Sequence, residues 1–107
     1  MGYSIKATKT EVKEVITTLA EKNCTYNLSP MFYKALGGEG LNKINNKKAG
    51  ACEEYIQKGI DAMIKDPKEY RALNPKNGWG TYEDALYTLR FILKACQKFP
   101  ESIFTIS

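Results

Sequence analysis

Histidine is absent from the 107 residues. With it go the commonest general acid or base and the Ser-His and Cys-His nucleophile pairs, so enzyme chemistry starts from a poor inventory. Mixed Cys/His zinc sites lose their nitrogen ligands as well. The three cysteines, Cys24, Cys52 and Cys96, are odd in number and far apart, which fits buried free thiols better than structural zinc. No metal and no cofactor is expected. Apolar runs stop far short of the roughly 20 residues a membrane-spanning helix needs, and the N-terminal stretch has no apolar signal core. The expectation is a soluble, cytoplasmic protein with no membrane partner. Internal repeats and low-complexity runs are missing too, and neither Glu53-Glu54 nor the dispersed carboxylates show a pairing whose spacing vouches for catalysis.

What is present describes one ordinary domain. Hydrophobic residues make up 43% and charged residues 26%, close to globular averages, and the length leaves no room for a second core. The net charge of +4 is uneven: residues 1–50 hold eight lysines against four acids, whereas the remainder balances eight against eight. The excess gathers in LNKINNKKAG, at Lys43, Lys47 and Lys48. Nucleic acid remains a possible partner but is not favoured, because such binding wants a denser basic stripe.

Residues 2–7, GYSIKA, alternate as a short strand with one buried face. Thr8 with Glu11 has the capping-box spacing, and Val12, Val15, Ile16 and Leu19 follow at helical intervals, which predicts an amphipathic helix over 9–22. Ser29-Pro30 predicts a short helix from Pro30 to Leu36 with Ser29 as its N-cap. A loop follows over 39–46, then a helix over 47–65 bearing Ala49, Cys52, Ile56, Ile60 and Met63 on one face. Asp66-Pro67 ends it, and PKEYRALN can form one or two further turns. Thr81 with Asp84 starts the last helix, whose apolar face runs from Tyr82 to Cys96. SIFTIS at 102–107 has a strand's alternation, and its natural partner is the N-terminal strand. The predicted fold class is α+β: a single small domain with three to four main helices and a small antiparallel sheet of two or three strands joining the two ends.

NPKNGWGTYEDAL places Trp79, the single tryptophan, between two glycines and just ahead of a helix start. Asn77-Gly78 and Gly80 are turn chemistry that also lets another group approach the backbone closely. Trp79 then has two readings: a lid folded over the core, or a stacking platform beside a helix N-terminus that favours anions. Glu83 and Asp84 in the first turn suit the dipole but would repel phosphate. TYNLSPMFYKAL offers a second candidate wall. Binding candidates are therefore Trp79, Asn77, Asn74, Tyr82 and Arg71 from the first stretch, with Tyr26, Asn27 and Tyr33 from the second; no catalytic residue is assigned. The alternative for Tyr26 and Tyr33 is plain packing against the main helices.

The elements TYNLSPMFYKAL, KKAG, DPKEYRALNPKNGWGTYEDAL and ACQKFPESIFTIS together resemble an uncharacterised family of small bacterial and phage proteins, over roughly residues 24–107. In that family a strand or hairpin precedes the Thr-Tyr-Asn segment, where the periodicity here predicts a helix. The resemblance implies a phage or mobile-element context. The expected function is a small non-enzymatic binding protein that inhibits or sequesters, its partner a host protein or a nucleotide-like small molecule. Two alternatives stand beside it: a structural protein acting as a homo-oligomer, and an enzyme using Glu, Asp, Tyr or Lys chemistry.

Overall fold

A computed structural model of the chain describes residues 2–12 and 15–107. Strands β1 (Gly2–Val12) and β2 (Val15–Thr25) form an antiparallel hairpin. A 3₁₀ turn at Tyr26–Leu28 leads to α1 (Ser29–Leu36), and a second 3₁₀ segment, Gly40–Ile44, leads to α2 (Ala49–Lys65). The short α3 (Pro67–Arg71), the long α4 (Tyr82–Lys98) and β3 (Ile103–Ile106) complete the chain. The sheet order is β2-β1-β3, with β3 antiparallel to β1 through Ile5–Ile106 and Ala7–Phe104.

The terminal strands therefore pair, as their alternation requires. Tyr3, Ile5 and Ala7 from β1 and Phe104 and Ile106 from β3 are buried, and they meet Ile56, Ile60 and Met63 of α2 and Leu89 and Ile92 of α4 in one core. Pro100 and Ser102 bring the chain back so that Ala49 and Gly50 donate to Ser102 and Pro100 carbonyls at 2.8 and 2.9 Å. That tie locks the start of α2 to the approach of β3.

The helix expected over 9–22 is strand instead over 9–12 and 15–22, and residues 13 and 14 of that expectation lie outside the described residues. Val12, Val15, Ile16, Thr17 and Thr18 make this stretch β-branched, a composition that favours a pleated surface over a helix. Thr8, read as the N-cap, gives its hydroxyl to the Ile103 carbonyl of β3 at 3.3 Å. Local capping chemistry lost to sheet pairing. A smaller correction concerns Ser29: it is the first residue of α1 rather than its cap, and its hydroxyl bonds the Tyr3 hydroxyl. The last helix has its full capping box, with Thr81 N–H donating to Asp84 Oδ2 and Asp84 N–H donating to Thr81 Oγ1.

Candidate functional site

The loop between α3 and α4 is fastened by the side chains that its sequence supplies. Asn77 Oδ1 accepts the Trp79 N–H at 3.0 Å, closing an Asx turn. Asn74 Oδ1 accepts the Tyr82 N–H at 2.8 Å. Arg71 donates from Nε and Nη2 to Glu83 Oε2 at 3.2 and 2.8 Å, and its guanidinium lies 4.8 Å from the Tyr82 ring centre. That ring is buried, and its hydroxyl donates to the Met63 carbonyl at 2.8 Å. Arg71, Asn74, Asn77 and Tyr82 thus hold the loop against α3 and α4.

Two glycines determine where Trp79 then points. Gly78, at φ +77°, has open space around it and supplies backbone freedom alone. Gly80, at φ +102°, sits so close to Thr25 and Leu28 that an added Cβ would lie 2.9 Å from each side chain. Only glycine lets the loop seat against the end of β2 there. The indole between them is 61% exposed, so it does not lid the core.

Trp79 forms one side of a cleft of about 240 Å³. Across it stand Lys22, Cys24 and Thr25 of β2, with Asp84 and Thr88 of α4 at the base. Tyr26 and Tyr33 are not among its walls. Tyr26 packs edge-on against Tyr3, ring centres 4.7 Å apart, and Tyr33 leans on Gly40. The Asn27 amide donates to Thr25 Oγ1 at 3.0 Å within the turn. Both tyrosines keep about two-fifths of their surface open, 41% and 44%. The eight candidate residues therefore divide into a loop group and a turn group, and the turn reaches the cleft only through Leu28, beside β2. Sequence reasoning misses Lys22 because the periodicity predicts a helix over 9–22, with the β-branched run as the available signal; it reads Cys24 as a buried free thiol, and Thr88 carries no local mark on α4.

Three of the first four N–H groups of α4 are already used: Asn74 takes that of Tyr82, and Thr81 takes those of Asp84 and Ala85. The hydrogen bond from Arg71, followed by a contact with its own backbone, holds the Glu83 carboxyl below its ordinary range. Burial pushes the Cys24 thiol up, opposed in part by the Thr88 hydroxyl. No family model, curated protein or solved structure matches the chain.

Proposed function

We propose that the chain is a small non-enzymatic binding protein of phage or mobile-element type, which docks on a host protein and blocks or sequesters it. Host defence is the target class that the family resemblance suggests. The exposed Trp79 carries the reading. Asn77 fastens its backbone N–H, and Gly80 seats the loop against Thr25 and Leu28, so that the ring stands outward beside the cleft. Tryptophan is also the side chain most enriched among residues that dominate interface energies. A protein surface fits better than a phosphate-bearing ligand, because three of the first four N–H groups at the helix start beside Trp79 are taken and the first turn presents Glu83 and Asp84.

The test is affinity capture from bacterial lysate with the intact protein and with Trp79→Ala immobilised side by side. A host protein retained by the first and lost by the second is the expected result. Identical sets of retained proteins would remove the basis for the reading.

A further inference from the structure

The two edges of the sheet are treated differently. The outer edge of β3 is sealed: Phe104 N–H donates to Lys47, Asn46 N–H donates to Phe104, and Asn45 Oδ1 accepts the Ile106 N–H. The outer edge of β2 has no backbone partner among the described residues. Ser4 and Ser107 exchange both backbone hydrogen bonds at 3.0 Å, so Ser4 and Lys6 address β3. Their neighbours Tyr3, Ile5 and Ala7 must address Cys24, Lys22 and Ala20 of β2. Glu21 and Asn23 consequently turn their N–H and C=O groups outward. The Asn23 carbonyl accepts from the Lys22 ammonium at 3.1 Å, a side-chain guard of the kind that shields exposed edges. β2 contains neither proline nor glycine to blunt pairing.

Beside this edge runs a groove between β2 and α4. Beyond the Trp79 cleft, the Lys22 ammonium lies 5.2 Å from the Tyr87 ring centre, and past that bridge opens a second cleft of about 270 Å³. Leu19, Ala20, Phe91 and Phe99 give it apolar walls. Leu19 is the extra residue where the pairing shifts from Ala7–Ala20 to Thr8–Thr18, so the bulge sets two consecutive side chains, Leu19 and Ala20, along the groove. The rim is basic. Lys94 and Lys98 line it one helical turn apart, Lys9 borders the adjoining cleft, and α4 carries no acid from Tyr87 to Lys98. The acids along the groove are Glu21, Asp84 at its Trp79 end, and Glu101, which is paired with Lys48 at 3.2 Å.

We propose that the outer edge of β2 receives an extended, acidic segment of the partner protein, which adds as a further strand and lays alternate apolar side chains into the β2–α4 groove. The proposal rests on the reading of the chain as a protein-binding module and names the chemistry of its partner. Main-chain bonds to Glu21 and Asn23 supply affinity, the groove selects side chains, and Lys94 and Lys98 select charge. A second copy of the chain opposes like charges in two registers, Glu21 against Glu21 or Lys22 against Lys22 when pairing centres on residue 21 or 22, and the register centred on Asn23 is what sedimentation tests.

The probe is a short fluorescent peptide alternating glutamate with valine and phenylalanine, followed by anisotropy. Its controls are the same peptide with lysine for glutamate and an acidic version N-methylated at alternate amides. The acidic peptide should bind saturably and roughly tenfold or more tighter than either control. Asn23→Pro removes one outward N–H and leaves the β1–β2 ladder intact, so it should weaken the acidic peptide by a similar factor while the far-ultraviolet dichroism is unchanged. Equal binding of acidic and basic peptides overturns the proposal, as does full affinity in folded Asn23→Pro. If that variant does not fold, the N-methylated peptide decides in its place. Sedimentation showing a dimer that Asn23→Pro dissociates would make the occupant a second copy and also overturn it. When peptide binding fails but a host protein is still captured through Trp79, only the strand-addition proposal falls; capture that ignores Trp79 removes the binding reading itself.

Discussion

Trp79→Ala separates a residue kept for contact from one kept for stability. A tryptophan carries up to about 250 Å². With 61% of the residue open, roughly 100 Å² is hidden, equivalent to about 2.5 kcal/mol at ~25 cal/mol per Å². Compactness of the unfolded chain trims this by roughly 10–40%, and alanine keeps part of the contact, which leaves a loss of about 1–2 kcal/mol. Phe104→Ala is the contrast. Phe104 is 1% exposed and packs between β1 and the helices, so its truncation should remove about 3–5 kcal/mol, much of a domain's usual ~5–15 kcal/mol. Urea unfolding followed by far-ultraviolet dichroism measures both, since the sole indole is gone from one variant. In the intact protein, tryptophan emission should be red-shifted and quenched by iodide. A loss above about 3 kcal/mol for Trp79→Ala, or blue emission resistant to iodide, would show that the indole is packed and that the contact surface has been misassigned.

Gly78→Ala and Gly80→Ala should differ by what surrounds them: about 1–2 kcal/mol for the first, from positive φ alone, and a further ~1–3 kcal/mol for the second, from overpacking against Thr25 and Leu28. Equal losses in urea would contradict the seating of the loop. Burial holds the thiols of Cys24 and Cys52 above their ordinary range and Cys96 is pushed up to about 12. Near pH 8, a disulfide reagent should therefore find Cys24 first, through the cleft, and Cys52 and Cys96 only on unfolding; prompt labelling of three thiols would refute the burial of the helix faces. Glu83 is depressed from its ordinary 4.5 by Arg71, so its contribution is present above that value and fades as pH falls through its folded value. Glu83→Gln should accordingly flatten the acid limb of the stability profile below about pH 4.5, and an acid limb as steep as in the intact protein would deny the Arg71–Glu83 pair any role.

Where local chemistry and tertiary demand agreed, the sequence determined the outcome unaided. Thr81 and Asp84 cap α4 because both partners of the box lie within one turn, and the face from Tyr82 to Cys96 meets a core whichever way the rest folds. The alternation of SIFTIS likewise fixes which side of β3 is buried, and Pro67 and Pro100 mark helix ends by removing a donor. Residues 9–22 went the other way. Thr8 and Glu11 offered a helix start, yet a helix there would have left β1 with β3 as its only neighbour, and pairing with β2 completed the backbone bonds of β1 and suited a β-branched run. The candidate site depended on that same decision. Trp79, Asn77 and the two glycines were legible from turn chemistry, but the groove beside them exists only because β2 passes along α4. Its walls come from residues some sixty positions apart, and no local pattern in the chain encodes a contact between two elements that meet solely through the packing of a sheet on a helix.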